Sequence, residues 1–163
     1  MANNLGGFQN IFNMLGSGGN AFSGLRKILG MNGNMNNKEI NSNNRGYRCR
    51  YKILTMEEAY IGIMAGNYKV LDVRSENEYK VLRIKGAINL PVDMVFSNIY
   101  NVIPNKQECI LIYCATGVRA ARAIQMLANQ GYINLCIWEG GGINNFKYKD
   151  IIISNVQTDG KST

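Results

Sequence analysis

Cys114 lies where an apolar run meets a short polar loop, and this placement points to chemistry. The run from Cys109 to Tyr113 predicts a buried strand, and the loop at residues 115–119 opens into a helical pattern. A helix N-terminus carries unpaired N–H groups and the positive end of the helix dipole. A cysteine placed there, with Arg119 five residues on, should ionise readily and lie beside a bound anion. We therefore expect a thiolate nucleophile in an anion-binding loop.

The loop itself supplies the other parts of an anion site. The successive N–H groups of Ala115, Thr116, Gly117, Val118 and Arg119 can form a concave nest for an anion. Gly117 supplies the positive φ that such a tight loop needs, and Thr116 adds a hydroxyl donor. The Arg119 guanidinium can bind an oxyanion through two parallel hydrogen bonds. The loop therefore suits attack by a thiolate on an anionic electrophile.

The composition excludes several other kinds of site. The chain contains no histidine, which rules out Cys-His and Ser-His-Asp catalysis and histidine-ligated metals. Its four cysteines include no C-x-x-C pair, so neither a zinc ribbon nor a thioredoxin-type dithiol is supported. We expect no metal and no organic cofactor. Cys109 and Cys136 fall inside apolar strands and are predicted to be small core residues.

The chain changes in composition near residue 47. Residues 1–46 are rich in Asn, Gly and Ser, which predicts a disordered leader, although apolar residues at helical spacing leave open a docking element for a partner. Residues 47–153 are predicted to form one domain and residues 154–163 a flexible tail. With 163 residues, 46% of them hydrophobic, the chain is long enough to bury a core.

The net charge of +7 is concentrated in the first 50 residues. Six basic residues against one acidic residue up to Arg50 give +5, and twelve against ten after it give +2. The basic residues from Arg45 to Lys52 could contact nucleic acid, but a solvated edge is favoured, so nucleic acid is not an expected partner. A protein partner could bind through residues 1–50. No signal peptide or membrane span is predicted, and we expect a cytoplasmic protein with reduced thiols.

Strand and helix patterns alternate from Lys52 onward. Two predicted helices begin at capping boxes, in which a Ser or Thr is followed three residues later by Glu. The predicted strands are Lys52–Leu54, Val70–Val73, Ala87–Leu90, Cys109–Tyr113 and Leu135–Trp138, and the predicted helices are Met56–Met64, Asn77–Arg83, Asp93–Ile103 and one after the loop that ends before Gly131.

This alternation predicts an α/β fold with a central, mostly parallel sheet of about five strands and helices on both faces. In such sheets ligands bind at the carboxyl ends of the strands. Cys114, the end of the Asp72 strand and the Gly140 loop should therefore converge at one edge.

Five pieces of the sequence, in order, resemble single-domain rhodaneses. The matching pieces are Leu71–Arg74, Glu78–Tyr79, Gly86–Pro91, Tyr113–Arg119 and Gly141–Phe146. The resemblance runs from about Lys52 to Asp150, and on these pieces the chain is identified as a member of the rhodanese-like family.

The resemblance implies sulfurtransferase chemistry through a persulfide on Cys114. The donor would be anionic, such as thiosulfate or a persulfide, and the acceptor would be cyanide or a thiol. The amides of residues 115–119 would hold the sulfur and the donor oxyanion, with Arg119 as the charged anchor. Asp72 and Arg74 match family residues that brace the fold near the site.

Two departures and two alternatives accompany this resemblance. Leu82-Arg83-Ile84 stands where the family often has Gly-His-Ile, and Phe146 replaces a frequent tryptophan. Phosphatase relatives carry arginine six residues after the cysteine, whereas Arg119 is five after, which favours sulfur over phosphate. A noncatalytic binding module stays an alternative. So does sulfur relay to a nucleic-acid-modifying partner. Cys49 could be a second thiol for sulfur relay, but an incidental thiol is favoured.

Overall fold

The computed structural model describes the backbone of residues 38–41 and 48–155 and the side chains of residues 51–155. Most of the predicted leader and tail therefore lie outside the described residues, and their disorder stays a prediction. One segment on the leader side of residue 47, Lys38–Asn41, forms a strand that the sequence did not predict.

The described residues form eight strands and four α-helices. The strands are β1 (Lys38–Asn41), β2 (Arg48–Leu54), β3 (Lys69–Asp72), β4 (Leu82–Ile84), β5 (Ile88–Asn89), β6 (Cys109–Tyr113), β7 (Asn134–Trp138) and β8 (Ile152–Ser154). The helices are α1 (Met56–Met64), α2 (Glu76–Val81), α3 (Val92–Val102) and α4 (Val118–Asn129), and 3-10 turns follow at Ile143–Asn145 and Lys149–Ile151.

The main sheet has the strand order β1-β2-β7-β6-β3-β5. Five of its strands run parallel, namely β2, β7, β6, β3 and β5. The sixth, β1, pairs antiparallel with β2 at one edge. The predicted α/β fold with a mostly parallel sheet is confirmed. Asp72 is in register with Tyr113, so β3 and β6 end side by side.

Side chains alternate between the two faces of the sheet, and each face has its own core. In β6, Ile110 and Ile112 pack with α3 and α4, whereas Leu111 and Tyr113 face the opposite core, which includes Trp138 and α1. All four of these β6 side chains have 0% exposure. This burial on both faces is what the unbroken apolar run predicted.

Both predicted capping boxes are present. The Glu58 amide donates to Thr55 Oγ1 over 3.1 Å, and the Thr55 amide donates back to the Glu58 carboxylate over 2.7 Å. Ser75 and Glu78 repeat this exchange at the start of α2. A capping box satisfies N–H groups that the first helical turn leaves unpaired, which is why both helices begin where the sequence predicted.

Helix α2 ends two residues earlier than predicted, because Leu82 leaves the helix with φ −148° and enters a strand. That strand, β4, pairs antiparallel with β8 in a second, two-stranded sheet. The partner lies some seventy positions away in sequence, so local pattern could not show it. Ser154, the first residue of the predicted tail, belongs to β8.

Candidate active site

The backbone of Cys114 is held on both sides by the segment that follows β7. Its N–H donates to the Gly141 carbonyl over 3.0 Å, and its carbonyl accepts from the Ile143 amide over 2.9 Å. The side chain is 1% exposed. An added Cβ at Gly142 would collide with the Ala115 carbonyl, so this segment and the loop can approach closely only because residue 142 is glycine. The predicted convergence of Cys114 with the Gly140 loop is thus present.

An amide of the loop points at the sulfur. The Gly117 N–H donates to Cys114 Sγ over 3.0 Å, which places a fixed dipole where negative charge on sulfur would be stabilised. Gly117 is the N-cap of α4. Within the described residues, the amides of Ala115, Thr116 and Val118 find no backbone carbonyl acceptor. These N–H groups are therefore available to a bound anion, as a nest requires.

Gly117 has the backbone conformation that the sequence analysis expected. Its φ is +95°, and an added Cβ would lie 2.5 Å from the Gly140 carbonyl oxygen. Gly117→Ala should therefore lower the free energy of unfolding by about 1–3 kcal/mol and displace the amide from Sγ, with a larger loss of the sulfur transfer that the resemblance to rhodaneses implies. Urea unfolding and a transfer assay would measure both.

Gly66→Ala is the matched control for this prediction. Gly66 also has a positive φ of +72°, but an added Cβ there meets nothing within 4 Å. It should cost backbone strain and leave sulfur transfer intact. Equal loss of activity in the two variants would contradict a specific role for the Gly117 loop.

Arg119 pairs with Glu78 across 41 positions of sequence. Its two terminal nitrogens donate to the two carboxylate oxygens over 2.7 and 2.8 Å, and both side chains are about one-third exposed. The hydrogen bond from Arg119 is the main reason that the pKa of Glu78 is lowered to about 2. The pKa of Arg119 is raised, first by Glu78 and also by nearby Cys114. The pair is therefore ionised at neutral pH, and Arg119 lies in the first turn of α4, the helix whose N-cap amide contacts Cys114 Sγ.

Sequence reasoning missed this pair. It identified Glu78 as a helix cap, which is correct, since Glu78 also accepts from the Ser75 amide and hydroxyl over 3.0 and 2.9 Å. It took Arg119 for a free anchor of the bound anion. The sequence did mark Glu78, because Glu78–Tyr79 is one of the five pieces that resemble rhodaneses. The sequence could not show, however, which residue the Glu78 carboxylate contacts.

Asp72 and Arg74 form a buried ion pair next to the site. Asp72 is 0% and Arg74 3% exposed. Arg74 Nε donates to the two Asp72 oxygens over 3.0 and 3.1 Å, and its guanidinium also donates to the Leu82 carbonyl. The side-chain amide nitrogen of Asn89 donates to the backbone carbonyls of both Asp72 and Arg74. These contacts join the end of β3 to β4 and β5.

Two of the other cysteines, Cys109 and Cys136, lie in strands and have no contact with the Cys114 loop among the described hydrogen bonds. Cys136 is buried, and burial raises the pKa of its thiol to about 11. Cys109 is exposed, so the prediction that it belongs to the core is wrong. It is the first residue of β6 and lies at the surface, whereas the next four residues of the strand are buried. The side chain of Cys49 lies outside the described residues.

Other observations concern the surroundings of the site. Phe146 packs on Trp138 with ring centroids 5.0 Å apart, and both are fully buried. Arg122 pairs with Asp93 over 3.3 Å at the surface.

Over residues 51–155, no group of three or more His, Cys, Asp or Glu side chains could hold a metal ion. No helix in the described ranges is long and apolar enough to cross a membrane.

The sequence was compared with known families and proteins. A sequence model of the family described as "Rhodanese-like domain" matches residues 55–149. Thiosulfate sulfurtransferase PspE of Escherichia coli (strain K12) is 30% identical over 87 residues, covering 53% of this chain and 77% of that protein. A tRNA uridine(34) hydroxylase of Buchnera aphidicola is 30% identical over 95 residues, covering 55% of this chain but only 30% of the hydroxylase.

The fold was compared with solved structures. The solution structure of a rhodanese-like domain from Anabaena superimposes with a TM-score of 0.56 at 18% identity, covering 68% of this chain and 85% of that domain. At this level of identity the likeness concerns the fold.

Proposed function

Because this chain belongs to the family of rhodanese-like domains, we propose that it is a sulfurtransferase in which Cys114 carries the transferred sulfur as a persulfide. The observation that carries the proposal is the hydrogen bond of 3.0 Å from the Gly117 amide to Cys114 Sγ. It places a preorganised donor at the atom on which charge would develop. The similarity to a thiosulfate sulfurtransferase supports the same reaction class.

The reaction needs two displacements at sulfur. In the first, Cys114 attacks the sulfane sulfur of the donor, the donor's sulfur–sulfur bond breaks, and sulfite leaves if the donor is thiosulfate. The thiol proton stays with the persulfide, so that Cys–SH and thiosulfate give Cys–S–SH and sulfite. In the second, a thiol or cyanide removes the outer sulfur and Cys114 returns as a thiol. Neither step requires an imidazole base.

The loop and the ion pairs take separate roles in this proposal. The amides of residues 115–119 bind the persulfide sulfur and the leaving anion, since several of them lack an acceptor within the described residues. Arg119 lies beside Cys114 and is itself held by Glu78. Asp72 and Arg74 brace the strand ends and touch no reacting atom.

The surroundings of this activity are also part of the proposal. A cytoplasmic location would keep the thiols reduced. A protein that delivers or accepts sulfur could bind through residues 1–50, and nucleic acid is not expected to bind directly. A second candidate function, a noncatalytic binding module, is favoured by the departure at residues 82–84, where this chain has Leu-Arg-Ile in place of the family's frequent Gly-His-Ile.

Mass spectrometry of the intact protein separates these two functions. After incubation with thiosulfate or a small-molecule persulfide, the protein should gain one sulfur, about 32 Da, and a reductant should remove it. Peptide mapping should locate the sulfur on Cys114 and leave the exposed Cys109 unmodified. A protein that takes up no sulfur from any of these donors would be a binding module.

A further inference from the structure

The cationic side chains near the cysteine are neutralised by carboxylates. From Cys114 to the end of α4 the only charged residues are Arg119 and Arg122. Arg119 gives both terminal nitrogens to Glu78, over 2.7 and 2.8 Å. Arg122 is paired with Asp93 over 3.3 Å. The loop that would receive the donor therefore offers backbone N–H groups but little net positive charge.

The whole edge of the sheet around Cys114 is acidic. The segments that follow the parallel strands at this edge are residues 55–58, 73–78, 90–93, 114–119 and 139–146. Their basic side chains are Arg74 and Arg119, and their acidic side chains are Glu57, Glu58, Glu76, Glu78, Asp93 and Glu139. Three of these side chains have ion-pair partners just outside the segments, namely Asp72, Lys80 and Arg122. With these partners included, four positive and seven negative charges give −3, in a chain whose net charge is +7. The excess of positive charge lies elsewhere in the molecule.

This charge distribution bears on which donor can enter. Thiosulfate carries two negative charges, so each negative charge at the edge repels it about twice as strongly as it repels a monoanion. Backbone N–H groups, in contrast, can bind one sulfur or one oxyanion without requiring a dianion. Glu78 matters most among the carboxylates, because it neutralises Arg119, which lies in the first turn of the helix whose N-cap amide contacts Cys114 Sγ.

We propose that Glu78 sets the specificity of this site, so that Cys114 takes sulfur from organic donors of low charge, such as persulfides and thiosulfonates, in preference to the thiosulfate dianion. This inference rests on the proposed function. With a thiosulfonate, Cys114 attacks the terminal sulfur, the sulfur–sulfur bond breaks, and a sulfinate leaves. The thiol proton is kept by the persulfide, as with thiosulfate. The two donors therefore differ in charge but transfer the same atom.

Glu78→Gln tests the inference, with methanethiosulfonate and thiosulfate as the two donors. Glutamine keeps a hydrogen-bond acceptor for Arg119 and preserves the capping box, but it has no charge. The ratio of kcat/KM for thiosulfate to kcat/KM for methanethiosulfonate should rise by about threefold to tenfold. Glu76→Gln is the control: it makes the same substitution in the same helix, but Glu76 pairs with the exposed Lys80 and not with Arg119, so the ratio should change much less than in Glu78→Gln.

Salt dependence of the unmodified protein gives a second, independent measurement. Between about 20 and about 200 mM salt, kcat/KM for thiosulfate should stay level or rise, because screening weakens the repulsion from the acidic edge. This measurement stands even if Glu78→Gln fails to fold.

The outcomes separate the inference from the function on which it rests. An unchanged donor ratio in a folded Glu78→Gln protein, or a thiosulfate rate that falls several-fold with salt, would overturn the inference and leave the sulfurtransferase proposal standing. Failure of Cys114 to take sulfur from either donor would remove both.

Discussion

Cys114→Ser should lower sulfur transfer by about a thousandfold or more, which is the size of effect seen when a covalent nucleophile is removed. Serine cannot form a persulfide, and the loop amides alone have no sulfur to hold. The fold should survive, because serine has a similar size and its hydroxyl can accept the Gly117 N–H in place of sulfur. Thiocyanate formation from cyanide and a sulfur donor would measure the rate, and urea unfolding would confirm the fold.

Cys109→Ser is the matched control for the loss of the nucleophile. Cys109 lies at the other end of the same strand and is exposed, so its loss should leave sulfur transfer unchanged. If sulfur transfer persisted in Cys114→Ser and was lost in Cys109→Ser, the reactive thiol would be Cys109, which would contradict the proposed site.

Arg74→Ala should lower the free energy of unfolding by about 3–5 kcal/mol, the cost of leaving a buried charge without its partner. Asp72 is fully buried and receives four hydrogen bonds from Arg74: one from the backbone amide over 2.9 Å, two from Nε and one from a terminal guanidinium nitrogen. Alanine keeps only the backbone bond. Urea unfolding at neutral pH, monitored by the fluorescence of the buried Trp138, would measure the loss.

Lys80→Ala controls for the removal of a positive charge at an ion pair. Lys80 and Glu76 form a pair whose side chains are 65% and 70% exposed, and such surface pairs contribute little to stability because water screens them. Lys80→Ala should therefore leave the urea midpoint nearly unchanged. A similar small loss in Arg74→Ala would show that Asp72 finds another partner and that the pair does not brace the strand ends.

Local signals were enough to predict much of the fold. The two capping boxes fixed the first turns of α1 and α2, because the exchange between residues three apart is complete within the helix that it starts. The apolar run of β6 predicted a strand buried on both faces, since only a strand inside a covered sheet has no solvent-exposed face. Cys114 could be singled out for a similar reason, because a strand end and a helix start are adjacent in sequence.

Features that depend on distant segments were beyond this reasoning. The pairing of β4 with β8 overrides the helical pattern at Leu82 and Arg83, and nothing near either residue indicates residues 152–154. The contact between Glu78 and Arg119 is likewise decided by where two helices start in space. Cys109 was misassigned because apolar pattern shows which face a residue takes, but not how deep the strand's first residue lies.

The pairing of β4 with β8 also orders events during synthesis. Among the described residues, β4 has β8 as its strand partner, and the Lys85 amide donates to the Ile151 carbonyl over 2.8 Å. A nascent chain therefore carries β4 with open backbone edges until nearly the whole domain has been translated. Exposed edges of this kind invite contact with other chains. A chain that ends before Ile152 would contain the Cys114 loop but would leave this edge unpaired.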